Sequence, residues 1–225
     1  MLSPIQSSQN GNSGQHLLRR ILTDMSIRPT SSGVGFAAAV VILMAGVAAV
    51  YAGALINGDF ESGNSGFTSG YTFRNRVTGP GTYTIGTNPS TVPGHFADWG
   101  SFGDHTSGIG NMFIANGGNS ASTTVWSETI TVTPSTSYLF SFWGATINAK
   151  SPSPTNLALL INGNSVGSND LFPTNSPAAG GNWVNFSAIW NSGLSTSANL
   201  VLVDKNTATD FNDFALDDIT FQKHL

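Results

Sequence analysis

An all-β chain, two antiparallel sheets packed as a sandwich behind one leading apolar helix, is the fold this sequence predicts. Three features carry that expectation. The 225 residues include 26 glycines and only 9% charged side chains, with 40% hydrophobic residues to fill a core. Gly, Ser, Thr and Asn at that density mean many turns between short strands. Beyond Leu55, apolar and polar residues alternate with a period of two rather than 3.6, which is the spacing of a half-buried strand.

The N-terminal part reads as a targeting segment. Residues 1–33 are polar and predicted to be disordered, and they carry Arg19, Arg20 and Arg28. Residues 34–54 form an apolar run that closes on Ala52-Gly53-Ala54, a small-x-small cleavage signal. Cleavage after Ala54 makes this a signal peptide and starts the mature chain at Leu55. The alternative is an uncleaved anchor, because about 20 apolar residues suffice to cross a bilayer. Both place the bulk of the chain outside the cytoplasm, secreted or at the cell surface. The absence of cysteine then removes the usual staple of an exported domain, so a large core or a metal must replace it.

Residues 55–225 read as one domain. "STTVWSETITVTP" alternates Val125, Ser127, Thr129 and Thr131 against Trp126, Glu128, Ile130 and Val132. "TSYLFSFWGATI" follows after the Pro134-Ser135 turn. "TNLALLINGNSVG" holds Asn162-Gly163, the strongest two-residue hairpin signal in the chain. "GNWVNFSAIWNSG", "SANLVLVDKN" and "DFALDDITF" supply three more strands, each bounded by turn residues. Strands at this spacing suggest a sandwich or barrel.

Charge excludes some partners. Arg19, Arg20, Arg28 and Asp24 precede residue 55, which leaves 5 basic and 11 acidic residues after it, a net charge of −6. Nucleic acids need a basic footprint, so they are not expected partners. Anionic membranes are disfavoured for the same reason, and membrane contact is expected only through an uncleaved N-terminal segment. A neutral partner or a cation suits this surface.

The order of motifs adds a resemblance. "NGDFESG" opens the domain, "GNMFIANGG" lies midway, then come "WSETITVTPSTSYLFSFW", "LALLINGNSVG" and "NWVNFSAIW", and "FALDDITF" closes it. Together they resemble the galactose-binding-like jelly roll of bacterial carbohydrate-binding modules, families 4, 9 and 22 above all. The likeness spans 55–225 and implies a structural calcium ion where the first and last strands meet. It implies carboxylates from Glu61 and Asp217, a backbone carbonyl or side chain from Asp59, and a further carboxylate from Asp104. Calcium takes hard oxygens of these kinds. The plainer alternative for all four is a solvated turn or a capping carboxylate. Strand alternation places Asp218 on the face opposite Asp217.

Sugars present apolar C–H faces, so a glycan site needs exposed aromatic rings beside a few polar groups. Trp126, Trp143, Trp183 and Trp190 fall in strand patterns and are expected in the core. Trp99, Phe96 and Phe102 lie in the Gly-rich "PGHFADWGSFGDHTSGIG" and form a candidate platform; plugging the end of the sandwich is their alternative role. Tyr71 and Arg74, with Phe73 and Arg76, form a second candidate rim. His95 and His105 with Asp98 and Asp104 match no compact metal motif, and no nucleophile or phosphate-loop signature is present. No catalytic residue is assigned. The sequence therefore points to a secreted, non-catalytic module that binds a carbohydrate and is stabilised by calcium. A structural or adhesive surface domain of the same fold is the alternative, and a glycoside hydrolase is the third.

Overall fold

The computed structural model describes residues 53–148, 155–169 and 182–225. The chain divides into two units, Met1–Val47 and Ala48–Leu225, and every described residue belongs to the second. The expected N-terminal segments thus lie outside the described residues, Gly53 and Ala54 excepted. Among the described residues no helix is long and apolar enough to cross a membrane.

Among the described residues ten strands form two sheets. They are β1 (Thr72–Phe73), β2 (Thr82–Gly86), β3 (Met112–Asn116), β4 (Thr124–Thr131), β5 (Ser137–Thr146), β6 (Leu157–Ile161), β7 (Asn164–Asn169), β8 (Val184–Asn191), β9 (Ser197–Asp204) and β10 (Phe214–Lys223). One sheet runs β1-β2-β3-β10-β5-β8 and the other β4-β9-β6-β7. All pairings are antiparallel except the short β1–β2 pair. The last strand therefore occupies the middle of the larger sheet, between β3 and β5.

Local sequence explains the joints. Asn162 and Gly163 link β6 to β7 with φ values of 52° and 79°. Two successive positive φ angles fit a two-residue hairpin turn whose twist matches the strands. In "NGDFESG", Asn57 organises the turn. Its Nδ2 donates to the carbonyls of Gly63 and Ser65, and its Oδ1 accepts from the Ser62 N–H. Phe60 drops fully into the core, edge-on to Phe67 and tilted against Phe113. Burying such a ring is worth about 1.5–3 kcal/mol.

The core has two layers. Between the sheets lie Phe113, Trp126, Phe140, Phe142, Leu159, Leu200, Phe214 and their neighbours. Outside the larger sheet, Ile114, Ala145, Ile147 and Ala215 carry a second cluster with Val77, Val92, Trp99 and Phe102 from the excursion over residues 77–102. Alternation explains the division, because Phe113 faces inward and Ile114 outward on the same strand. Part of the larger sheet's outer face is thus roofed by chain that the strand pattern alone does not describe.

Candidate functional site

Trp99, Phe102 and Tyr71 do not form a platform. Their exposures are 4%, 3% and 4%, so each belongs to the core. The physical reason is partner supply. The Trp99 indole N–H donates to Asp213 Oδ2 at 2.8 Å, and the Tyr71 hydroxyl accepts from the Gly118 N–H at 2.7 Å. A buried indole or phenol needs such a partner, and here each has one. Phe102 packs edge-on against Trp183. Of the four tryptophans expected inside, Trp126 is fully buried, and Trp143, Trp183 and Trp190 are half-buried.

Phe96 differs from its neighbours. It is 44% exposed and borders a cup of about 410 Å³ at the end of the larger sheet. The end of β3, the segment after β5 and the segment leading into β10 meet there, and they supply Asn116, Asn148 and Asp213. Across the cup stands Phe211, 37% exposed and held at φ 67°. Asp98, Thr209 and Asp210 complete the polar lining, and among the described residues no basic side chain borders it.

The floor is rigid. Asp213 accepts from Trp99 Nε1, from Asn148 Nδ2 at 2.9 Å and from the Gly117 N–H at 3.1 Å. Burial pushes its carboxyl up, and these donors together oppose that without cancelling it. Beneath it Asp204 is buried against Asn212, and burial raises its carboxyl to about 7. The sequence offers little sign of this cup, since Phe211 and Asp213 lie over a hundred residues from Phe96. The one available signal is Phe211 itself, an aromatic within the polar connection "KNTATDFND".

The expected calcium residues gather around a second feature, the loop 104–111. Asp104 accepts from the N–H groups of Ser107 and Gly110. Burial pulls its carboxyl up, but these backbone donors win and hold it below the ordinary range. Glu61 Oε1 accepts from the Asn111 N–H at 2.8 Å, so close to Gly110 that a Cβ there would lie 2.2 Å from it. Asp217 Oδ2 accepts from the His105 N–H at 2.8 Å. Burial raises Asp217 to about 7, and the negative charges of Asp218 and Asp104 add to the effect. Three of the four residues thus meet one loop from different sides. Asp59 stands apart, exposed, with Oδ1 near the Glu61 N–H. Among the described residues no three His, Asp or Glu side chains close on one point as a metal-binding group.

Asp218 corrects the alternation argument. A register shift in β10 between Asp217 and Thr220 inserts an extra residue, and Asp218 adopts φ 48°. Phe214 and Leu216 face the core before the bulge, and Ile219 and Phe221 after it. Both aspartates therefore reach the same loop. Asp218 Oδ2 accepts from Thr106 Oγ1 and pairs with His105 Nδ1 at 2.7 Å. The His105 ring also stacks on Trp143, with centroids 3.8 Å apart. His95 lies elsewhere, its Nδ1 against the Val92 carbonyl.

Arg74 and Tyr71 flank β1, but Tyr71 is buried and does not line the surface that Arg74 borders. That surface is an open groove shared with Phe73 and Arg76.

No family model matches this sequence, and none of the curated proteins is similar to it. Solved structures are. A Stig cyclase from Fischerella sp. TAU, in complex with a pyrrolidinylidene indole, aligns over 77% of this chain and 98% of its own with 10% identity and a TM-score of 0.51. The N-terminal CBM22 tandem domain of a Paenibacillus barcinonensis protein covers 78% of this chain at 14% identity and a TM-score of 0.48. This chain spans about half of that tandem, 47% of its length. A family 16 carbohydrate-binding module covers 74% of this chain and 97% of its own at 17% identity, with a TM-score of 0.42. At these identities what the chain shares is architecture, and the chain is a two-sheet β-sandwich of the kind seen in the cyclase.

Proposed function

We propose that this protein is a non-catalytic carbohydrate-binding module that works outside the cell. The cup carries this reading. Two exposed phenyl rings, Phe96 and Phe211, stand over a floor of Asp98, Asn116, Asn148, Asp210 and Asp213. Rings take the C–H faces of a sugar, and carboxylates and amides take its hydroxyls. The volume lies within the range of about 300–1,000 Å³ usual for small-ligand sites. With three carboxylates and no basic side chain among its described lining residues, the cup favours neutral sugars over acidic ones. Titration of the full chain with neutral oligosaccharides tests this. Binding that weakens in Phe211→Ala supports it, and no binding to any neutral sugar overturns it.

A structural calcium ion at the 104–111 loop is the second part of the proposal. Asp104 and Asp217 would hold it, with Glu61 beyond Gly110 and backbone carbonyls completing the hard-oxygen shell. Its support is crowded negative charge. Both aspartates are buried, Asp218 and Asp104 each raise Asp217, and the His105 ring is engaged by Asp218. When bound, the ion would supply the cross-link that cysteines supply elsewhere.

A further inference from the structure

The groove beside β1 and β2 shares no lining residue with the cup and has the opposite charge. Arg74 and Arg76 both line it, and both are exposed. They are two of the five basic residues after residue 54. Among the described residues the one ion pair joins His105 to Asp218, so neither arginine has a carboxylate partner there. Among the described residues no acidic side chain borders the groove. Its remaining lining is Phe73, 41% exposed, with Asn75, Thr78 and Thr82. The hollow measures about 600 Å³, and through Asn75 it adjoins a second of about 420 Å³ bordered by Thr84, Asn88 and Thr91.

The arginines are placed rather than loose. Arg74 N–H donates to the Tyr83 carbonyl, which fixes its backbone against β2. The Arg76 stem lies over Gly94, where a Cβ would come within 2.6 Å of Arg76 Cγ and 2.8 Å of Thr78 Cγ2. Gly94 also has φ +83°, so a side chain there is excluded twice over. The result is a trough with two guanidinium forks, one exposed ring and a run of hydroxyls and amides.

We propose that this groove is a second glycan site, one that takes an acidic polysaccharide bearing carboxylate or sulfate groups. Guanidinium matches a planar or tetrahedral oxyanion with paired N–H donors. Threonine and asparagine groups suit the sugar hydroxyls between successive charges, and Phe73 offers a face to a ring. The extended trough suits a chain rather than a single sugar. A nucleic acid is the poorer occupant, because its affinity comes from many phosphate contacts and the groove offers two arginines.

The test is binding of the full chain to polygalacturonate, dextran sulfate, neutral dextran and single-stranded DNA at low salt. Wild type should bind one or both acidic glycans at least tenfold more tightly than dextran or DNA, and weaken as salt rises. The order of the two acidic glycans names the oxyanion. The double variant R74Q/R76Q should lose at least tenfold in affinity with an unchanged melting midpoint. Gly94→Ala should lose part of it by moving Arg76. Phe211→Ala, which alters the cup, should leave this binding intact, so failure here and failure of the cup are separable. The proposal is overturned if neither acidic glycan binds, if DNA binds equally well, or if the double variant binds like wild type.

Discussion

The cup and the groove are built in opposite ways. The cup's polar groups are rooted in the core. Asp213 is 5% exposed and holds Trp99, Asn148 and the Gly117 backbone, so its recognition surface and its fold share the same side chain. The groove's charges stand on an exposed rim, held by the Arg74 backbone and by the Arg76 stem over Gly94. A site of the first kind is stiff and costly to alter. A site of the second kind can change its charge with little effect on the fold.

The largest effect should come from Asp213→Ala. It strands three buried donors, each costing about 1–3 kcal/mol when left unpaired, so a loss on the order of 3 kcal/mol or more is expected in urea denaturation. R74Q/R76Q should change stability by less than about 0.5 kcal/mol, the usual range for surface substitutions. Equal effects from the two would dissolve the distinction.

Calcium comes next. A ligand at a hundredfold excess over its Kd stabilises the folded state by about 2.7 kcal/mol, which raises the midpoint of a domain this size by about 5–11 °C. Chelator should reverse the gain, and Asp104→Ala and Asp217→Ala should each abolish the response. An identical midpoint in calcium and in chelator removes the ion from the proposal. The cup and groove variants should keep the full response.

A smaller effect concerns pH. Asp204, beneath the cup, titrates near 3.8 when unfolded and at about 7 when folded, chiefly through burial. The folded chain binds this proton more tightly, so its stabilisation is complete below pH 4 and lost as pH rises through 7. Urea midpoints at pH 5 and 8 should therefore differ, with the lower pH more stable. Asp204→Asn should shrink the difference, while R74Q/R76Q should not.

The smallest is Phe211→Ala, which should weaken neutral-sugar binding by up to about tenfold, as expected for an aromatic contact worth about 0.5–1.5 kcal/mol. Its melting midpoint should stay within a degree or two. A collapse in stability would make Phe211 a core residue and remove it from the cup's wall.

The strands were legible because their signals are local. Asn162-Gly163 states its own turn, and the alternation in β4, β5 and β9 is visible within each segment. β1 and β2 were missed because β1 pairs over only two residues and "TYTIG" is short and flanked by glycine. The sites were less legible, because they are made by register. Nothing near Asp218 announces the bulge that turns it to the same side as Asp217. Trp99 looked like an exposed loop residue, and the carboxylate that seats it is Asp213, far along the chain.

One consequence of strand order concerns how the protein is made. β10 pairs on one edge with β3 and on the other with β5, so the larger sheet stays split until residues 214–223 are free to join it. Pairings this distant in sequence are slow to form, since long loops must close before any contact rewards them. Synthesis delivers this keystone strand after everything it joins. Until then the nascent chain holds two unmatched strand edges, on β3 and on β5, that only this segment can pair.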